Sequence, residues 1–169
     1  MNVVALVPVT GRAHWVPPAL LDTAVTRLSA LVDRVHVVSE PTEWLDLVGD
    51  ADVVLVHDPL RAHTPADVVA RVVAEVVATG RPVVPVLPCS DTVKRLDAAG
   101  VVIDTPDRAE LRVLQSPVGY PAAVFAAGLA SGVIVPGTVP AGARTVAGDP
   151  LARRLASAVD VAMIDGGQA

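Results

Sequence analysis

Apolar residues in this chain gather in short, nearly continuous runs rather than in strict alternation. Val3–Val7, Val35–Val38, Val53–Val56 and Val83–Leu87 are such runs. Runs of this length predict strands covered on both faces, as in a parallel sheet. A different period separates them. Leu20, Leu21, Ala24, Leu28 and Leu31 fall on one stripe of a helix predicted over Pro17–Leu31, with Pro17-Pro18 suited to its first turn. A second helix is predicted from Thr64-Pro65, read as N-cap and first-turn residues, through Asp67, Val68, Val69, Val72, Val73, Val76 and Val77, with Gly80 as its stop. Strand, helix and strand at this spacing imply right-handed crossovers and a doubly wound, mostly parallel α/β sheet.

The rhythm changes after Pro85. From there to Pro117 short β-branched patches are separated by turn residues, and Ala99-Gly100 reads as a hairpin. The segment is too long for an ordinary βα loop. It is read as an arm at about 88–117 that leaves the main sheet of a single domain spanning 1–169. Such an arm exposes apolar surface unless a second chain covers it, so a homodimer is expected. Beyond the arm the pattern predicts a helix near Pro121–Ala130, a short strand near Val133–Val135, a last helix near Pro150–Val161 and a frayed tail at Asp165–Ala169.

Composition narrows the function classes. The chain has 169 residues, 52% of them hydrophobic and only 2% aromatic, so the core must be built from Val, Leu and Ala. No apolar run approaches the roughly 18 residues that span a bilayer, and no basic segment precedes the first apolar run. A cytoplasmic protein without membrane partners is expected. The formal net charge is −5 and no basic stripe is present, which argues against duplex nucleic acid as a partner. Cys89 is the single cysteine, which excludes an internal disulfide and a cysteine-rich zinc site. It reads as a small packing residue.

Reactive side chains are scarce, so their positions matter. V-L-V-H-D-P-L-R, Val54–Arg61, ends a predicted strand in His57-Asp58 and places Arg61 just beyond. Ligands of parallel sheets bind outside the carboxyl ends of the strands. An acid there can hold a divalent metal or a ribose hydroxyl, and the arginine can neutralise phosphate. Equally, Asp58 can cap a turn and Arg61 can be solvated. His57 and His63 in one loop are a weak sign of a metal pair. In the arm, Asp91, Thr92, Lys94, Arg95 and Arg108 could hold a phosphorylated substrate, or form a solvated hairpin of mixed charge. Thr10-Gly11-Arg12 follows the first strand, where a glycine lets backbone approach a phosphate, although no G-x-G-x-x-G or G-K-[ST] pattern is present.

Three segments together resemble a known family. Val54–Arg61 is similar to the V-L-V-H-D-A-A-R motif of 2-C-methyl-D-erythritol 4-phosphate cytidylyltransferases. P-V-L-P-C-S-D-T-V-K-R, Pro85–Arg95, is similar to their P-V-x-D-T-[IM]-K-R arm. T-P-D-R-A-E-L-R-V-L-Q-S-P-V-G-Y-P, Thr105–Pro121, is similar to T-x-D-R-x-x-L-x-x-x-Q-T-P-Q-x-F. Order and spacing agree. The resemblance implies a nucleotide-diphospho-sugar-transferase-like α/β fold whose projecting β-arm interlocks a homodimer. It implies transfer of CMP from CTP to a phosphorylated polyol, a tetritol of the non-mevalonate isoprenoid route, with Mg2+ and release of pyrophosphate.

Carried over by position, the resemblance makes Asp58 the catalytic and metal-holding acid and Arg61 the motif arginine. Thr92, Arg108 and Ser116 become substrate-binding residues, with Ser116 standing where the family has threonine. R-T-V-A-G-D-P-L, Arg144–Leu151, is similar to K-V-T-x-P-E-D-L, which puts Arg144 on the nucleotide phosphates. The nucleotide side departs from the pattern. The family's P-A-A-G-x-G-x-R-M and P-K-Q become P-V-T-G-R-A-H-W-V-P-P-A-L-L, leaving Gly11 as the loop glycine and Arg12 as the loop arginine, with proline where the lysine stands. Three outcomes follow: a cytidylyltransferase with a rebuilt loop, an inactive dimeric homologue that binds a ligand or regulates, or transfer of another nucleotide to another phosphorylated polyol.

Overall fold

The computed structural model describes residues 1–9, 16–39, 43–132, 138–155, 157 and 160. Four strands run where the valine runs predict: β1 (Val3–Pro8), β2 (Arg34–Val38), β3 (Val53–Val56) and β4 (Val83–Pro88). The predicted helices are α1 (Pro18–Ser29) and α3 (Ala66–Thr79), and a short α2 (Trp44–Val48) lies between β2 and β3. Pro17 and Pro18 open α1, and Gly80 closes α3 in the left-handed conformation at φ 62. Thr64 does not cap α3: its hydroxyl turns back to the Arg61 carbonyl at 2.8 Å, and Pro65 holds the N-cap position without a side-chain bond.

The arm leaves at Pro88. It holds the two-stranded hairpin of β5 (Arg95–Leu96) and β6 (Val102–Asp104), with Gly100 at φ 82 in the turn, and returns through β7 (Arg112–Leu114). The chain then enters the main sheet as β8 (Val118–Pro121), continues as α4 (Ala122–Ala130) and adds β9 (Arg144–Ala147). Among the described residues the sheet has the order β2-β1-β3-β8-β4-β7, with β9 beside β4. β1, β2 and β3 pair parallel, as do β4 and β9, while β8 runs antiparallel between β3 and β4. The fold is therefore a mixed, mostly parallel doubly wound sheet.

Because strand residues alternate faces, one sequence run feeds two cores. Val3, Ala5, Val7, Val53, Leu55 and Val83 pack with α1 and α3 through Leu28, Val69, Val72 and Val76. Val4, Leu6, Val54, Val84 and Tyr120 pack on the opposite face with Trp44 and Phe125. Trp44 stacks on Phe125 at 6.1 Å and Tyr120 meets Phe125 edge-on at 5.5 Å, so the aromatics of the described residues form one cluster. Gly119 in β8 brings α3 close to the sheet. A Cβ there would lie 2.6 Å from Val72 Cγ1 and 2.8 Å from Val76 Cγ2.

The helix predicted near Pro150–Val161 does not start at Pro150. Pro150–Ala152 is a single 3-10 turn and residues 153–155 continue without helix. The apolar spacing of Leu151 and Leu155 suits a helix, yet Leu151 is exposed and Leu155 is buried. The Leu155 amide bonds to the Leu60 carbonyl at 2.8 Å. Residues 149–155 thus form a strap across the end of β3. The predicted strand at Val133–Val135 and the tail at Asp165–Ala169 lie outside the described residues.

Candidate functional site

β3 ends at Val56, and the His57 amide extends the pairing by bonding to Leu6 O at 2.9 Å. Asp58 is thereby held at the carboxyl ends of β1 and β3. Pro59–Arg61 then forms a 3-10 turn, with Pro59 supplying a fixed φ and Asp58 Oδ1 accepting the Leu60 amide at 3.0 Å. So Asp58 does cap a turn. Its second oxygen faces outward and accepts from Arg154 Nε at 2.8 Å.

A buried pair fixes Asp58 from below. Ser116 Oγ accepts the Asp58 amide at 3.2 Å and lies 3.1 Å from His57 Nδ1. His57 is buried, and burial lowers its pKa from 6.5 to about 4, so it is neutral at physiological pH. The Ser116 hydroxyl and Nδ1 share a hydrogen bond whose donor depends on the imidazole tautomer. Ser116 thus acts on Asp58 through the backbone.

Arg61 is not a free cation. Its Nη1 donates to Ala152 O at 2.5 Å and its Nη2 to Leu114 O at 2.9 Å. Burial pushes its guanidinium pKa down, Asp58 opposes that, and the neighbouring Arg154 adds to it. Arg61 therefore ties the strap and the arm's return strand to the end of β3. Gln115 reinforces the strap: its Nε2 donates to Asp149 O at 2.8 Å and its Oε1 accepts the Asp149 amide at 2.9 Å. Gly148 makes this possible, because a Cβ there would overlap the Gln115 carboxamide oxygen.

The structure brings Asp58, Arg61 and Ser116 together. It does not bring Arg144 to them. Arg144 pairs with Val83 at the amino end of β4, whereas Asp58 follows the carboxyl end of the parallel β3. Its Nε lies 3.3 Å from Glu75 Oε1 on α3. Arg144, which the resemblance assigns to the nucleotide phosphates, stands at the opposite end of the sheet from Asp58. Thr92 and Arg108 stay in the exposed arm, where Arg108 Nη1 donates to Ser90 O at 3.1 Å. Lys94 binds Thr105 Oγ1 at 2.6 Å, and Arg95 pairs with Asp104. Gly11 and Arg12 lie outside the described residues.

Arg154 is the site residue that sequence reading missed. Its only local signal is the pair Arg153-Arg154 following the Asp149-Pro150 turn. Its partner Asp58 is 96 positions away, beyond any spacing rule. For a metal, the described residues offer no group of three or more His, Cys, Asp or Glu side chains. Asp58 is the carboxylate at the crevice. Among the described residues no helix is long and apolar enough to cross a membrane.

Comparison with known proteins accounts for this arrangement. The family model described as 2-C-methyl-D-erythritol 4-phosphate cytidylyltransferase matches residues 20–163. A protein of that name from Nocardia farcinica is 37% identical across 97% of this chain and 93% of its own length. One from Rhodococcus jostii is 37% identical across 88% of this chain and 70% of its own. The fold is shared with 4-diphosphocytidyl-2C-methyl-D-erythritol synthase from Anaerococcus prevotii, at a TM-score of 0.79 and 14% identity over 99% of this chain and 98% of that one. It is also shared with the Thermus thermophilus cytidylyltransferase, at a TM-score of 0.72 and 20% identity over 98% of each chain. The chain belongs to the 2-C-methyl-D-erythritol 4-phosphate cytidylyltransferase family.

Proposed function

We propose that this protein transfers a cytidylyl group from CTP to 2-C-methyl-D-erythritol 4-phosphate at the crevice beside Asp58, in the non-mevalonate route to isoprenoids. One observation carries the reading. Asp58 is anchored through both its amide and its Oδ1 at the carboxyl end of the sheet, with two guanidinium groups beside it. That is a preorganised place for phosphate chemistry, which depends on positioning and charge neutralisation. A phosphate oxygen of the acceptor attacks the α-phosphorus of CTP in line. A new P–O bond forms, the bond to the β-phosphate oxygen breaks, and pyrophosphate leaves.

Magnesium is usually held by one or two carboxylates together with substrate phosphates. Asp58 fits that pattern as the single protein carboxylate, with the nucleotide supplying most of the oxygens once Arg154 yields Oδ2. Bound there, the ion would neutralise charge on the phosphates. Gly11 and Arg12 are assigned to the nucleotide loop, which takes the place of the family's longer glycine-rich loop and its lysine. The arm supports a homodimer. Its apolar side chains stand in solvent, with Val101 61% and Ile103 58% exposed, and a partner's crevice is the natural cover for that surface. In such a dimer Thr92 and Arg108 act on the partner's substrate. A cytoplasmic location agrees with this chemistry.

A second reading is favoured by Arg144. Its pairing with Glu75 occupies the cation that the resemblance assigns to the nucleotide, as an inactive homologue that binds a phosphorylated ligand or regulates another enzyme would permit. Pyrophosphate release from CTP, magnesium and 2-C-methyl-D-erythritol 4-phosphate separates the two. Release at an ordinary enzymatic rate, lowered about 10²-fold or more by Asp58→Asn, supports transfer. Binding of the ligands without release supports the inactive homologue and overturns transfer.

A further inference from the structure

We infer that Arg154, on the carboxyl-terminal strap, is the arginine that grips a ligand phosphate at this site, and that it leaves Asp58 to do so. The inference rests on the Asp58 crevice being a phosphate site and adds to it a residue from outside the three family motifs.

Of the two arginines beside Asp58, one is already committed. Arg61, the arginine of the strand motif, spends Nη1 on Ala152 O and Nη2 on Leu114 O, and it is half-buried. Freeing it would release the strap and leave two carbonyls without donors, at a cost that a phosphate contact must first repay. Arg154 is differently placed. Its side chain is 41% exposed and it meets Asp58, itself 28% exposed, through Nε. A partly exposed ion pair between mobile side chains is worth little, so exchanging the carboxylate for a doubly charged phosphate is favourable. The planar guanidinium matches phosphate oxygens in a bidentate fork.

Charge balance points the same way. Asp58 contributes one negative charge, Arg61 and Arg154 two positive charges, and His57 none. The cluster carries an excess positive charge at the mouth of a crevice in a protein whose formal net charge is −5. The repulsion between Arg154 and Arg61, which lowers the Arg61 pKa, is relieved when an anion arrives. The backbone of the strap is already ordered by Gln115, Arg61 and Leu60, and Leu155 is buried beside Leu20 and Leu60. The side chain of Arg154 can therefore move while its Cα stays fixed, which keeps the entropic cost of binding low.

The test is calorimetric titration of the full chain with CTP plus magnesium chloride, and separately with 2-C-methyl-D-erythritol 4-phosphate. The two arms tell which ligand's phosphate Arg154 holds. Arg154→Ala should weaken one arm about tenfold or more, as expected for a lost charged hydrogen bond. Arg154→Lys should recover part of that loss. Arg153→Ala removes the same charge one residue away and should leave both arms within about twofold. Thermal melting of each variant reports on the strap itself. Unchanged binding by Arg154→Ala overturns the inference, as does an equal loss in Arg153→Ala, which would mean unspecific attraction. Tighter binding by Arg154→Ala also overturns it and makes Arg154 a mask over Asp58. Absence of binding by the unaltered protein in both arms removes the phosphate-site reading together with this inference, whereas binding by the unaltered protein with an unaffected Arg154→Ala removes this inference alone.

Discussion

The Ser116 hydroxyl lies 3.1 Å from Nδ1 of the buried His57 and at the same time accepts the amide of Asp58. One side chain on the returning arm thereby holds both a neutral, buried histidine and the backbone of the crevice carboxylate. It joins two segments 59 positions apart, so the arm's return and the end of β3 form one unit.

Removal of that hydroxyl has a calculable consequence. Ser116→Ala leaves the buried His57 Nδ1 without its hydrogen-bond partner and the part-buried Asp58 amide without its acceptor. The expected loss is about 1–3 kcal/mol of stability, read from urea unfolding. Ser116→Thr, which restores the hydroxyl present in the family, should cost far less.

The depressed His57 pKa makes stability pH-dependent in a known direction. Unfolding returns the imidazole from about 4 to about 6.5, so between those values the unfolded chain binds more protons. Stability is unaffected by this group above pH 6.5 and falls as pH drops from 6.5 towards 4, by an amount on the order of 3 kcal/mol. Unfolding free energies measured across this window should show the decline. His57→Gln, which keeps a polar side chain and cannot titrate, should flatten it; an equally steep decline in that variant would place its origin elsewhere.

Gly148 tests the strap. Gly148→Ala drives a Cβ into the Gln115 carboxamide oxygen and must displace Asp149. Ligand titrations should weaken, and hydrogen exchange at the Asp149 and Leu155 amides should quicken more than exchange in β1. Gln115→Ala placed in the same chain removes the overlap with the carboxamide, though not the close Val86 carbonyl, and should reverse part of the local loosening.

Gly119 tests the seat of α3. Gly119→Ala meets Val72 and Val76, both buried, and overpacking of this kind costs about 1–3 kcal/mol. Thermal melting of Gly119→Ala with and without Val72→Ala should show the second change to be less harmful in the first variant than alone.

The arm predicts an oligomeric state. Sedimentation of the unaltered protein should give a dimer at micromolar concentration. Ile103→Asp, which places a charge among the exposed arm residues, should shift it towards monomer with little change in the melting of the main sheet. A monomer in the unaltered protein would dissociate the arm from any dimer role.

Much of this was legible in the residues themselves, for reasons that differ by element. The valine runs located four strands because continuous apolar stretches have few other uses in a chain with so few aromatics. The 3.6-residue stripe and the terminal Gly80 located α3 almost to its ends. β8 was not legible: V-G-Y-P contains the two residues least suited to a strand, and only the close approach of α3 explains Gly119. The helix predicted near Pro150–Val161 fails over its first residues, where the structure buries Leu155 with Ala152, leaves Leu151 in solvent and continues through 153–155 without helix.

The sequence by itself determined the layer architecture and, through three ordered motifs, the family, and it marked the end of β3 as the candidate site. These are encoded locally, in periodicity, in turn residues and in short strings. Tertiary structure alone decided what each charge does. It turned Arg144 towards Glu75 at the amino end of the sheet, committed Arg61 to two carbonyls, and carried Arg154 across 96 positions to Asp58. A guanidinium spells the same in every setting. Its role is set by strand direction, burial and the nearest acceptor, which exist only once the chain has folded.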